Sequence, residues 1–154
     1  MNKLEYEIMN ELEENHWWYI GLRGYLSAVF KKYKKMIPQK PVVLDAGCGT
    51  GANLRHMNKI FINGNFSVFE MSSESLKYSK AKNPNANIYK SNINNNKKLS
   101  NIFKNIKPSI VIHLASEVGV RNSSKRPRSY ANTNILGFLN ILENCKNQNV
   151  DKLF

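Results

Sequence analysis

A glycine-rich segment behind a short apolar run constrains the fold of this chain more than any other feature. The run Val42-Val43-Leu44 leads into Asp45, and the glycines that follow stand at positions 47, 49 and 51. A short run of β-branched and other apolar residues is typical of a buried strand. Glycine accepts positive φ and lets the backbone approach a ligand closely. The segment therefore predicts a strand, a ligand-binding loop and then a helix.

The rest of the chain continues this alternation. Apolar runs predict further strands at residues 66–69, 87–90, 110–115 and 150–154, and helical periodicity predicts helices at residues 52–60, 73–82, 99–106 and 127–148. Ser72 is the expected N-cap of the second of these helices. Apolar strands separated by helices indicate a parallel sheet covered on both sides. We therefore predict an α/β fold, a Rossmann-like three-layer sandwich whose mostly parallel sheet has the order 3-2-1-4-5 with a truncated last strand.

The residues before the first strand form a separate predicted unit. Leu4, Ile8 and Leu12 recur at helical spacing, and Pro38 and Pro41 end the helical pattern. We predict a helical arm at residues 1–38, which caps a Rossmann-like nucleotide-binding domain at residues 39–154.

Composition excludes several classes of protein. The 154 residues contain no apolar run near the roughly 20 residues of a membrane span. The charged N-terminus lacks the apolar stretch of a signal peptide, so we expect a cytoplasmic protein. Cys48 and Cys145 stand far apart and predict neither a disulfide framework nor a metal site.

The excess of basic residues raises the question of whether the chain binds nucleic acid. Lys plus Arg number 23 and Asp plus Glu number 11, which gives a net charge of +12. The basic runs at residues 31–35, 97–98 and 125–128 are dispersed and are not interleaved with aromatic residues that could stack on bases. We therefore expect no specific nucleic-acid partner, and we keep a basic nucleic-acid-binding protein only as an alternative.

The glycine loop and one acidic residue predict a nucleoside-binding site. Glu70 follows the second predicted strand about 20 residues beyond the loop, where a carboxylate can accept hydrogen bonds from two ribose hydroxyls. The loop spacing is G-x-G-x-G, whereas the dinucleotide fingerprint is G-x-G-x-x-G. Asp45 would repel a pyrophosphate and suits a cationic ligand group.

At these residues the first half of the chain resembles class I S-adenosylmethionine-dependent methyltransferases. The resemblance rests on residues 14–19, 43–51 and 70–72. It implies S-adenosylmethionine as the cofactor, with residues 45–51 around its methionine part, Glu70 at the ribose and Asn92 with Ile93 at the adenine. It also implies that His16, Trp17 and Trp18 form part of a cap over the site. The candidate cofactor residues are Asp45, Ala46, Gly47, Gly49, Thr50, Gly51, Glu70, Met71, Asn92 and Ile93.

From residue 98 to residue 154 the sequence resembles a different family. The segments 112–116, 119–121 and 137–143, with Pro127, Tyr130 and Asn134, look like the middle of a nucleotide-sugar epimerase or dehydratase, with the uronic-acid 4-epimerases nearest. The resemblance implies NAD as the alternative cofactor and a dimer interface on the helix at 130–148. The chain stops before the Ser/Thr and the Tyr-x-x-x-Lys pair of that family.

Both resemblances together predict a hybrid or truncated chain joined between about residues 84 and 98. The leading hypothesis is an S-adenosylmethionine-binding, methyltransferase-like protein with an incomplete catalytic apparatus, so no catalytic residue is named. The alternative is a fragment of an NAD-dependent nucleotide-sugar epimerase or dehydratase. The expected partners are a small-molecule or sugar-nucleotide substrate and a second copy of the chain.

Overall fold

The sheet of the protein has five parallel strands. A computed structural model describes residues 3–154. The strands are β1 (Val42–Ala46), β2 (Asn65–Glu70), β3 (Asn87–Lys90), β4 (Ile110–Ile112) and β5 (Lys152–Leu153). Their order is β3-β2-β1-β4-β5, and every pairing is parallel. This confirms the predicted Rossmann-like α/β fold and its strand order.

Helices connect the strands and cover both faces of the sheet. They are α1 (Lys3–Leu12), α2 (Trp17–Tyr33), α3 (Ala52–Ile60), α4 (Ser73–Lys82), α5 (Asn96–Ile106), α6 (Val120–Lys125), α7 (Pro127–Ala131) and α8 (Phe138–Asn147). A short 3-10 turn, Lys34–Met36, follows α2. Within residues 3–154, no helix combines the length and the apolar character needed to cross a membrane.

The core divides into two layers because neighbouring residues of a strand point to opposite faces. In β1, Val43 belongs to the layer that contains Phe30 of α2 and Leu54 of α3. Leu44 belongs to the other layer, which contains Phe103 of α5 and residues of α8. Each of these five side chains is at most 1% exposed. The arm helix α2 is thus an integral part of one layer.

The structure refines the arm and corrects several local predictions. The arm consists of two helices, and residues 1 and 2 of the predicted arm lie outside the described part of the chain. The strand predicted at 110–115 ends at Ile112. The basic segment at residues 121–128 is a loop by its sequence, but in the structure it contributes to α6 and to the start of α7. The predicted helix 127–148 contains a π-helical segment, Asn132–Gly137. There Gly137 packs closely on Ile93, since a Cβ at Gly137 would lie 2.7 Å from the Ile93 Cγ2 atom.

Candidate functional site

A cleft of about 520 Å³ lies at the edge of the sheet where the parallel strands end. This edge is where open α/β sheets bind ligands. The cleft is bordered by α1, the glycine loop, the end of β2, the segments after β3 and β4, and the region from α7 into the π-helical segment. Apolar and polar groups therefore converge on it from six parts of the chain.

The glycine loop adopts backbone angles that require glycine. Gly47, Gly49 and Gly51 have φ values of +90°, +54° and +89°. A Cβ at Gly47 would lie 2.3 Å from the Cβ of Ala115, and one at Gly51 would lie 2.7 Å from the Ser79 hydroxyl oxygen. The first glycine thus lets the loop approach the segment after β4, and the third lets it approach α4.

The Glu70 carboxylate is fixed at the rim of the cleft by backbone amides. Oε2 accepts from the Gly49 amide at 3.3 Å, and Oε1 accepts from the Met71 and Ser72 amides at 2.7 Å and 3.1 Å. A carboxylate offers about four acceptor positions. Three hydrogen bonds from backbone amides therefore orient the Glu70 carboxylate and leave it able to accept a further hydrogen bond from a ligand hydroxyl.

Asp45 is a buried acid at the base of the loop. Its side chain is 2% exposed, and its Oδ2 atom has no hydrogen-bond partner among residues 3–154. Burial, and secondarily the charge of Glu70, raises the pKa of Asp45 to about 7. The Asp45 carboxyl group is thus mainly neutral in mildly acidic solution and mainly charged in alkaline solution.

The structure separates the predicted cofactor residues into two groups. The cleft is lined by Gly47, Gly49, Glu70, Met71, Asn92 and Ile93, whereas Asp45, Ala46, Thr50 and Gly51 are not among its lining residues. The Asn92 amide oxygen accepts from the Asn94 backbone amide at 2.8 Å, and its amide nitrogen donates to the Met71 sulfur at 3.1 Å. The Thr50 hydroxyl donates to Glu13 at 2.6 Å.

The arm covers the cleft with different residues from those predicted. His16 caps the start of α2, where its Nδ1 accepts from the Trp18 amide at 3.3 Å. Trp17 and Trp18 are 73% and 57% exposed, and neither lines the cleft. The arm residues that line it are Tyr6 and Met9 of α1.

Sequence reasoning also missed the polar side of the cleft. Ser129, Asn132 and Thr133 line it, together with Ser116 and Glu117 after β4. Polar residues at positions 129, 132 and 133 share one helix face. That spacing, directly after Pro127, is a sequence pattern from which a polar helix face could have been predicted.

A Tyr-x-x-x-Lys spacing occurs once in the sequence, at Tyr78 and Lys82. Both residues lie on α4, and neither lines the cleft. The Lys82 ammonium is bound by Glu13 and by the Thr50 carbonyl oxygen, and it lies 5.8 Å from the Tyr78 ring centroid. This pair is therefore part of the framework beside the glycine loop.

The sequence and the structure are similar to several known proteins, among them UDP-sugar epimerases. Protein CapI of Staphylococcus aureus is 35% identical over 96 residues, which are 60% of this chain and 29% of that protein. UDP-glucuronate 4-epimerase of Thermodesulfobacterium geofontis is 43% identical over 72 residues, 47% of this chain and 22% of the relative. The chain thus spans less than a third of the length of these curated relatives.

Solved structures give the same result for the fold. UDP-glucose 4-epimerase of Thermotoga maritima, solved with UDP-glucose, has a TM-score of 0.62 and 28% identity over 72% of this chain and 36% of its own. UDP-glucose-4-epimerase of Stenotrophomonas maltophila, with bound NAD and formylated UDP-arabinopyranose, has a TM-score of 0.64 and 17% identity, over 73% of this chain and 35% of its own.

These findings contradict the leading sequence hypothesis. They give no support to a methyltransferase half, and the epimerase-like match begins well before residue 98. The predictions of a methyltransferase function and of S-adenosylmethionine as cofactor are therefore wrong, and the Stenotrophomonas maltophila structure contains bound NAD. The glycine spacing was a misleading local signal because Rossmann-like folds of many functions share a glycine loop after β1.

The predicted epimerase or dehydratase resemblance of the C-terminal part is confirmed. The family model described as GDP-mannose 4,6 dehydratase matches residues 55–154, which run from within α3 through β5. The chain belongs to this family of nucleotide-sugar dehydratases and epimerases.

Proposed function

We propose that the chain forms the NAD-binding part of a nucleotide-sugar epimerase or dehydratase. The observation that carries the proposal is the oriented Glu70 carboxylate, which stands at the end of β2 beside a cleft of about 520 Å³. In dinucleotide-binding folds, an acid at this position accepts hydrogen bonds from the adenosine ribose. The family match covers β2 and the three strands after it.

The residues around the cleft fit the adenosine half of the dinucleotide. Glu70 would hold the ribose, and Asn92 with Ile93 would border the adenine. Gly47 and Gly49 leave the space a pyrophosphate needs, because neither carries a side chain into the cleft. The Gly51 position that precedes α3 has no side-chain cap, so the helix N-terminus is compatible with an anionic group. When bound, NAD supplies the nicotinamide ring that accepts and returns hydride.

Two features of the loop depart from the dinucleotide pattern, and the structure bears on one of them. The spacing of the glycines is G-x-G-x-G, and Asp45 is an acid close to the place of the pyrophosphate. Burial keeps Asp45 mainly neutral below about pH 7, which removes most of its repulsion for phosphate under those conditions. We therefore propose that the cleft binds NAD more tightly in mildly acidic solution.

The sugar chemistry is proposed only for a full-length protein of the family, because this chain spans less than a third of the length of its curated relatives. The substrate class is a nucleotide sugar, by analogy with the UDP-glucuronate 4-epimerase that this chain resembles. For residues 39–154 themselves the proposal is cofactor binding, with residues 1–38 as an arm against the site.

Calorimetric titration of the purified chain with NAD+ tests this function. We expect saturable binding that Glu70→Ala weakens roughly tenfold or more, since hydrogen bonds to a charged acceptor are worth about 1.5–3 kcal/mol. Glu74→Ala is the matched control because Glu74, on α4, does not line the cleft and pairs with Lys77. Absence of NAD+ binding by the unaltered chain, or equal weakening by both substitutions, would contradict the proposal.

A further inference from the structure

A buried ion pair joins the arm to the domain. Glu13, between α1 and α2, is 4% exposed, and its Oε1 atom binds the Lys82 ammonium at the end of α4. The Lys82 side chain is 14% exposed and also donates to the Asn10 side chain. Charges are buried in this way only when they are paired and hydrogen-bonded. The pair is therefore a specific connection and differs from a solvated surface bridge.

The same ion pair holds the centre of the glycine loop. Thr50 is 1% exposed, and its hydroxyl donates to Glu13 Oε2 at 2.6 Å. The Lys82 ammonium donates to the Thr50 carbonyl oxygen at 3.2 Å. One residue of the loop is thus fixed through both its side chain and its main chain. This explains why a polar Thr50 is fully buried.

The turn that carries Glu13 is itself anchored. Arg23 of α2 donates to the Glu13 carbonyl oxygen at 2.6 Å and to the Glu14 carbonyl oxygen at 3.2 Å. Arg55 of α3 pairs with the Glu14 carboxylate at 2.5 Å, in a bridge whose side chains are both about 40% exposed. The buried carboxylate therefore has a defined position relative to α2 and α3.

The arm that carries Glu13 also forms one wall of the cleft. Tyr6 and Met9 of α1 line it, and the Met9 sulfur lies 3.6 Å from the position of a Cβ on Gly49. On the opposite side of Gly49, its amide donates to Glu70 at 3.3 Å. Gly49 is thus held between the arm and the acid at the end of β2.

We propose that Glu13 and Lys82 are positioning residues that lock the glycine loop through Thr50 and hold α1 over the cofactor cleft. The role in cofactor binding rests on the proposed function, whereas the loop-locking role does not. Neither residue lines the cleft, so both act through the loop and the arm.

Hydrogen exchange of the ligand-free protein tests the lock directly. Thr50→Val removes the donor to Glu13 at nearly constant volume, and Thr50→Ser keeps it. We expect Thr50→Val to reduce protection of the Gly49 and Gly51 amides roughly tenfold or more, because it removes the donor to Oε2 of the buried Glu13 carboxylate. Thr50→Ser should restore most of that protection.

A control variant and a second readout separate the lock from the cofactor site. Glu7→Gln breaks a solvent-exposed bridge to Lys3 within α1 and should leave loop exchange unchanged. NAD+ affinity should fall with Thr50→Val and recover with Thr50→Ser, without a comparable change for Glu7→Gln. Unchanged loop protection in a folded Thr50→Val variant would overturn the inference. Failure of the unaltered chain to bind NAD+ would overturn the proposed role in cofactor binding. The hydrogen-exchange result would still show whether the Glu13–Lys82 pair holds the glycine loop through Thr50.

Discussion

The backbone amide of Gly49 donates a hydrogen bond to Glu70 Oε2 at 3.3 Å, which joins the glycine loop after β1 to the end of β2. Glu70 also accepts from the two amides that follow it. The acid that would bind a ribose therefore also orders the loop beside the predicted phosphate position. Substitutions at either residue should change loop conformation as well as ligand affinity.

Asp45 should make the stability of the protein depend on pH. Its ordinary pKa is 3.8, and burial raises it to about 7 in the folded chain. The unfolded chain therefore ionises first, so stability declines as pH rises from about 4 to about 7 and then stays level. The resulting loss in the free energy of unfolding is on the order of 4 kcal/mol.

Asp45→Asn should remove most of that decline. Chemical unfolding at a series of pH values should show that the stability of the variant increases relative to that of the unaltered protein as pH rises. Asp151→Asn, at an exposed residue just before β5, is the control and should leave the profile unchanged. A constant difference between the Asp45→Asn variant and the unaltered protein from pH 4 to pH 8 would contradict the assignment.

The same group should affect cofactor affinity. Ionised Asp45 adds a negative charge at the base of the loop, whereas the neutral form does not. We expect NAD+ to bind several-fold more tightly at pH 6 than at pH 8, and Asp45→Asn to abolish the difference. Calorimetric titrations of both proteins at the two pH values check this. Tighter binding at pH 8 would show that Asp45 is not the controlling group.

Glycine substitutions at two positions should have opposite effects. Gly51→Ala forces a side chain onto a residue with φ of +89° and places its Cβ 2.7 Å from the Ser79 hydroxyl oxygen. A loss of at least about 1–3 kcal/mol is expected. Gly21→Ala, within α2, meets no atom within 4 Å and should stabilise the helix by about 0.5–1 kcal/mol. Thermal unfolding of the two variants measures both, and equal effects would contradict the packing described for Gly51.

The predicted dimer interface at 130–148 remains a prediction, and the structure supplies a test of it. Ile135, Leu136 and Leu139 are 60%, 52% and 46% exposed on this part of the chain. We expect Leu139→Glu to convert a concentration-dependent dimer into a monomer in light-scattering measurements, because it places a charge in the apolar contact. If the unaltered chain is a monomer at all concentrations measured, the predicted dimer interface at residues 130–148 is refuted.

The elements that local periodicity encodes were predictable from sequence. The helix at 52–60 has the predicted bounds, and Ser72 caps α4 as expected, with its hydroxyl accepting from the Ser75 amide at 3.2 Å. The strand order followed from right-handed connections between parallel strands. Helix α6 was missed because its residues are mostly polar and follow Gly119, and the hydroxyls of Ser123 and Ser124 satisfy the Val120 carbonyl oxygen within the helix.

The site was less predictable because it depends on contacts between distant segments. Tyr6 and Met9 reach the cleft from the arm, which Glu13 joins to the loop through Thr50, and no local pattern encodes that contact. Thr50 belongs to the glycine motif, yet its hydroxyl is directed to the arm. The cofactor itself was misassigned because the loop spacing was weighed above the epimerase-like resemblance of residues 98–154, whereas the family match extends over residues 55–154.

Mapping of NAD+ on the isotopically labelled protein by amide chemical shifts tests the central claim most directly. The account predicts saturable shifts at Gly47, Gly49, Glu70 and Asn92, which surround the cleft. The surface groove between α3 and α4, bordered by Asn58, Lys59 and Pro84, should remain unchanged. An absence of shifts at high NAD+ concentration, or shifts confined to the α3–α4 groove, would contradict the assignment of the cleft as the NAD site.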